Sequence, residues 1–146
     1  RQDVRFAFGA TVVRVLGDGR ATGVETADGR RFPADLVLVG IGVVPNAELA
    51  AEAGLAVSDG IVVDERLATG DPAVSAIGDC ARHPCRFAES GALVRIESVQ
   101  NAVDQARCVA ARLAGRSTAP YAAVPWFWSD QGALKLQIAG PATPHE

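Results

Sequence analysis

Between residues 73 and 85 the chain reads "AVSAIGDCARHPC", which sets a carboxylate, two thiols and an imidazole side by side. Three chemistries suit these types. A zinc centre could draw on Cys80, His83, Cys85 and the distant Cys108, but structural zinc sites pair their ligands on two knuckles and the second knuckle is missing. A redox disulfide between Cys80 and Cys85 would belong on a helix, and Pro84 argues against a helix here. The remaining option makes the cysteines incidental thiols and His83 a solvated loop residue, so no metal ligand is assigned and Asp79 becomes the group of interest. An apolar strand over 72–78 runs into Gly78 and Asp79. A carboxylate at the carboxyl end of a buried strand stands where open α/β sheets bind ligands. As an acceptor it suits a hydroxylated chain such as a ribityl.

Two further stretches invite a chemical role. In "RIESVQNA" (95–102) Ser98 occupies the N-cap position of a helix whose first free N–H groups belong to Val99 and its neighbours. Such a terminus carries roughly half a positive elementary charge. It is either a well-capped helix and nothing more, or a partner for the N1–C2=O edge of a flavin, which turns negative on reduction. "GIGVVPN" (40–46) opens like a dinucleotide fingerprint, with Gly40 and Gly42 after an apolar run, but Pro45 replaces the third glycine. It fails as a phosphate cradle. Either a strand simply ends in a turn there, or its backbone lines a cofactor crevice.

The elements that must position these residues alternate strand and turn. "VRFAF" (4–8), "TVVRVL" (11–16) and "ATGVETA" (21–27) are strand-like, and "GDGR" (17–20) and "DGR" (28–30) are turns, which predicts an antiparallel meander. "DLVLVGIG" (35–42) has four successive apolar residues and predicts a strand buried on both faces. A short helix is expected over 47–53, capped by Asn46 and ended by Gly54. "GIVVDE" (60–65) and "PAVSAIG" (72–78) are strand-like. Residues 99–114 form the clearest helix, with Val99, Ala102, Val103, Ala106, Val109, Ala110 and Leu113 on one stripe and Gly115 after the last turn. "YAAVPWFWSDQ" then opens a new segment, and "ALKLQIAG" alternates like a strand.

Composition narrows the function classes. The 146 residues are 49% hydrophobic and 21% charged, the profile of a globular domain with a sizeable core. A net charge of −3 gives no case for nucleic acid. Of the fourteen basic residues only Lys135 is a lysine, a bias that says little about mechanism. No apolar run approaches a membrane span and no signal peptide stands ahead of the first strand. An odd count of three cysteines fits a reducing, cytoplasmic setting. The chain starts mid-pattern without Met, as a piece of something longer would.

"DLVLVGIGVVPN", "AIGDCA", "RIESVQNA", "DQAR" and "PWFWSDQ", in this order and spacing, closely resemble the C-terminal part of the FAD-dependent NAD(P)H:ferredoxin reductases of the putidaredoxin, rhodocoxin and rubredoxin type. The likeness covers essentially the whole chain. It implies an α/β fold: part of an FAD/NAD(P)-binding, Rossmann-like domain of the glutathione-reductase type, with the start of an α+β C-terminal domain. By resemblance residues 1–44 end the NAD-binding domain, 45–116 are the return of the FAD-binding domain, and 117–146 begin a truncated C-terminal domain.

The resemblance also implies site roles. Gly78 and Asp79 would contact FAD, with Asp79 on the ribityl, and the Val99 N–H at the Ser98-capped terminus would meet the flavin pyrimidine edge. Glu97 would face the nicotinamide carboxamide, Gly42 would line the NAD(P)H path, and Trp128 would stand against the isoalloxazine ring while Trp126 joins the core. No side chain is assigned a catalytic role. The acceptor implied is a [2Fe-2S] ferredoxin or a rubredoxin serving a P450 or dioxygenase, and Arg82 and Arg86 could help dock it. Both G-x-G-x-x-G fingerprints of the family lie upstream of these residues, so the chain alone is expected to be colourless and unable to oxidise NADH without the remainder of its own chain. The alternatives are a non-catalytic binding or structural fragment, or a related NADH peroxidase or disulfide reductase.

Overall fold

The structure, a computed structural model, describes residues 3–141. It divides into two units between Val43 and Val44. In the first unit, β1 (Val12–Gly17), β2 (Ala21–Thr26) and β3 (Arg31–Pro33) form the expected antiparallel meander in that order, with Val15 opposite Val24 and Val24 opposite Phe32. The turn chemistry sets the register. Gly17 has φ +132°, and a Cβ there would lie 1.9 Å from the Arg20 carbonyl oxygen, so only glycine fits. At the second turn Asp28 accepts from Thr26 Oγ1 at 2.6 Å and from Arg30 Nε at 2.7 Å.

Two predicted strands of this unit are not formed. Residues 4–8 and 35–42 have no ladder partner among the described residues. Leu36, Leu38 and Ile41 are exposed, as are Phe6 and Phe8, whose rings stack 5.6 Å apart. An apolar run signals burial, but a strand exists only where a neighbour takes up its N–H and C=O groups.

The second unit begins with α1 (Glu48–Glu52). Its N-cap is Ala47, without a side-chain bond, rather than the expected Asn46. Gly54, at φ +76°, closes it as expected: the Gly54 and Leu55 amides donate to the Ala51 and Ala50 carbonyls in a Schellman arrangement. A mixed sheet follows, in which β4 (Ile61–Val62) lies parallel to β5 (Ala81–Pro84) and β5 antiparallel to β6 (Leu93–Arg95). In place of the strand expected over 72–78 stand a turn at 72–73 and an isolated bridge of Ser75 to Ala68, where Thr69 and Asp71 bond locally: Thr69 Oγ1 donates to the Val74 carbonyl and Asp71 Oδ1 accepts from the Ala73 amide. The strand begins only after Asp79.

Helix α2 (Val99–Leu113) spans almost the predicted range and ends in a second Schellman arrangement at Gly115. Its buried stripe is the surprise. Asn101, Gln105 and Val109 face inward, whereas Val99, Val103 and Leu113 of the predicted apolar stripe are exposed. Val109 packs with Val63, Leu67, Ala76 and Ala81 into the core, with Tyr121 against it. The two amides replace apolar groups on that face because their hydrogen bonds are satisfied there, as the site shows. Last comes the hairpin of β7 (Trp126–Gln131) and β8 (Leu134–Ala139), with Trp128 opposite Gln137.

Candidate functional site

Asp79 sits in a 3₁₀ turn over Gly78–Cys80 rather than at the end of a strand. Ile77 arrives extended and Gly78 turns the chain at φ +73°, a left-handed conformation that favours glycine. The Gly78 amide donates to Gln105 Oε1 at 2.7 Å inside the core, and the Asp79 carbonyl accepts from Arg95 Nη1 at 3.1 Å. Backbone on both sides of the carboxylate is thereby held. The carboxylate itself has no hydrogen-bond partner among the described residues, which leaves its lone pairs for a donor from outside.

The start of α2 is built with equal economy. Ser98 Oγ accepts the Asn101 amide at 3.1 Å, as the N-cap pattern predicts, and Asn101 Nδ2 donates to the Ile96 carbonyl at 3.1 Å. Tyr121 OH donates to Asn101 Oδ1 at 3.1 Å, so the entry to the helix is tied to the segment beyond it. The Val99 and Gln100 amides, at positions with no intrahelical acceptor, are left without a partner among the described residues and carry the positive end of the helix dipole. Just before them, Glu97 Oε1 accepts from Arg95 Nη1 at 2.6 Å.

These groups meet. Asp79, Glu97, Ser98 and Val99 line one open cleft of about 560 Å³, floored by Ala102 and Val103. Gly78 adjoins it, its Cα facing the Ala102 methyl closely enough that a Cβ would touch it at 3.5 Å. A carboxylate acceptor beside two free amide donors suits a ligand with hydroxyls at one end and an acceptor edge at the other. The cleft pairs no nucleophile with a base, so what it offers is binding and orientation. Trp126 and Glu97 share a neighbouring hollow of about 310 Å³. Trp128 is 45% exposed, with its ring 5.5 Å from that of Trp126, and lines neither space; Trp126 is half-buried rather than enclosed in the core. Gly42, at φ +94°, belongs to the first unit.

His83 overturns its expectation as a solvated residue. It is 2% exposed on β5, its Nδ1 lies 3.2 Å from Gln105 Nε2, and its ring meets Tyr121 edge-on at 5.3 Å. With the Gln105 carbonyl engaged by Gly78, the Gln105 amide donates to His83, so Nδ1 is the acceptor nitrogen. Burial holds the imidazole below its ordinary pKa and pushes Tyr121, also facing Asp104, up to about 12. Cys85, directly after the same strand, is buried. Arg82 is committed to Ser58, and Arg86 stacks over Phe87 at 4.7 Å. Arg95, Asn101, Gln105 and Tyr121 escape sequence inspection as site residues. A faint signal existed, since amides at 101 and 105 share a helix face with Val109.

The comparisons with known proteins agree with this architecture. The family profile of the pyridine nucleotide-disulphide oxidoreductases matches residues 1–106. The chain belongs to that family. It is 58% identical over 137 residues to a rhodocoxin reductase of Rhodococcus erythropolis, covering 94% of this chain and 31% of that protein. It is 50% identical over 121 residues to a putidaredoxin reductase of Pseudomonas putida, covering 83% of this chain and 28% of that one. Among solved structures, the ferredoxin reductase of the CYP199A2 system from Rhodopseudomonas palustris superposes with a TM-score of 0.86 at 54% identity, over 94% of this chain and 33% of that one. The covalent putidaredoxin reductase–putidaredoxin complex gives 0.82 at 46%, over 90% and 31%. The chain thus spans about a third of these relatives' length. Its fold is the expected one: part of an α/β, Rossmann-like FAD/NAD(P)-binding fold with the beginning of an α+β domain. Among the described residues no helix is long and apolar enough to cross a membrane.

Proposed function

We propose that these residues form the flavin-ring and nicotinamide side of an NAD(P)H-dependent ferredoxin reductase. One observation carries the proposal: Asp79, Glu97 and the Ser98–Val99 start of α2 line the same cleft. There Asp79 accepts hydroxyl hydrogens of the FAD ribityl, and the Val99 amide donates to the pyrimidine edge, where the helix dipole favours added negative charge. Glu97 accepts from the nicotinamide carboxamide, while the roles of Gly42 on the NAD(P)H path and of Trp128 at the isoalloxazine ring rest on the resemblance alone. When bound, FAD accepts a two-electron hydride and releases the electrons singly. The names of the relatives support a ferredoxin-type protein or a rubredoxin as acceptor, and we take the former to be a [2Fe-2S] ferredoxin. In the domain terms of such a reductase, residues 1–44 end the NAD domain, 45–116 return to the FAD domain and 117–146 start the C-terminal domain.

The test is Asp79→Ala in the flavin-loaded protein. Losing a charge-assisted hydrogen bond of about 1.5–3 kcal/mol weakens FAD retention roughly ten- to a hundredfold. A variant that holds FAD as tightly as the native protein refutes the assignment.

A further inference from the structure

The Arg95 side chain is only 11% exposed, yet its guanidinium serves three acceptors on three segments. Nη1 donates to Glu97 Oε1 at 2.6 Å and to the Asp79 carbonyl at 3.1 Å, and Nε lies 3.2 Å from Asp59 Oδ1. The fold makes room for it. Gly60 has φ +115°, and a Cβ there would stand 2.9 Å from Arg95 Cδ and 2.8 Å from the Cys80 carbonyl oxygen. The turn bearing Asp79 and the carboxylate of Glu97 are thus joined through one cation.

We propose that Arg95 is a positioning residue that holds Glu97 in the orientation needed to receive the nicotinamide carboxamide, while its bond to the Asp79 carbonyl ties the Asp79 turn to the same group. The proposal rests on the flavin–nicotinamide reading above and adds the group that gives Glu97 its direction. Glu97 is 40% exposed and, without that bond, would share the rotamer freedom of any surface glutamate. Lysine cannot substitute, because one ammonium does not reproduce the planar fork that reaches three separate acceptors.

The experiment uses the flavin-loaded reductase and the variants R95K, R95Q, E97Q and R95Q/E97Q. Binding of NAD⁺ to the oxidised protein is followed by its perturbation of the flavin absorbance, beside KM and kcat for NADH, thermal midpoint and FAD retention. R95Q and E97Q should each weaken NAD⁺ binding and raise KM about tenfold, with kcat near native. In NAD⁺ affinity the double variant should be no worse than R95Q alone, because both changes remove the same oriented carboxylate. R95K should recover the thermal midpoint but not the NAD⁺ affinity. Additive losses in the double variant, or a lowered midpoint in R95Q with unchanged NAD⁺ affinity, would overturn the proposal; if R95Q does not fold, unchanged affinity in R95K does the same. If E97Q binds NAD⁺ normally while Asp79→Ala still sheds FAD, the role of Arg95 fails and the flavin assignment stands. If Asp79→Ala also retains FAD, the underlying reading has failed instead.

Discussion

Replacing Gln105 by Leu removes a buried side chain that joins the Asp79 turn to the core, without changing its volume much. Gln105 is fully buried, and its two polar ends serve the Gly78 amide and His83 Nδ1. Leucine leaves both of those groups buried and unpaired. Each orphaned group costs about 1–3 kcal/mol, so the pair should lower stability by about 2–6 kcal/mol. Because Gly78 precedes Asp79, FAD retention should fall as well, although Gln105 does not line the cleft. Urea unfolding of the flavin-loaded protein, followed by circular dichroism, gives the first quantity, and the fraction of bound flavin after gel filtration gives the second. Gln105→Glu is the control. Its carboxylate still accepts the Gly78 amide, and a protonated His83 can donate to it, so this variant should lose less stability at acid than at alkaline pH. A Gln105→Leu variant within about 0.5 kcal/mol of native, or one that unfolds more easily yet keeps its flavin, would refute the reasoning.

Two shorter predictions follow from the same geometry. His83 titrates below its ordinary 6.5 in the folded state, so below that pH the unfolded chain takes up a proton that the native one refuses. Stability should therefore be full above about pH 6.5 and decline as the pH falls toward the lower folded value, and His83→Asn should flatten that part of the profile in urea titrations. Gly60→Ala should be among the most damaging single-atom changes, since it adds strain of about 1–3 kcal/mol at φ +115° and a clash with the Cys80 carbonyl that no rotamer can relieve; a melting temperature equal to native would show that the β4–β5 edge shifts freely.

Local chemistry made much of this protein legible in one dimension. The meander was readable because Gly17 and the Asp28 turn dictate where the chain reverses. Helix α2 was readable because Ser98 and Gly115 satisfy its ends whatever surrounds it. Ser98 and Val99 were legible as the capped start of a helix and Asp79 as a carboxylate after an apolar run, whereas Glu97 was marked by the family resemblance and not by its own type or place. The strands expected over 35–42 and 72–78 were not decidable in this way: one needs a ladder partner from elsewhere in the fold, and the other lost to side-chain bonds from Thr69 and Asp71. The inward face of α2 was likewise undecidable. Hydrophobic periodicity favours Val99, Val103 and Leu113, but Asn101 and Gln105 are buried because partners such as Tyr121, Gly78 and His83 arrive from distant positions. Nor could any pattern show that Arg95 reaches from β6 to both the Asp79 carbonyl and Glu97. A residue's type and near neighbours settle caps and turns, whereas the burial of a polar group is favourable only when the whole chain has folded its partners into place.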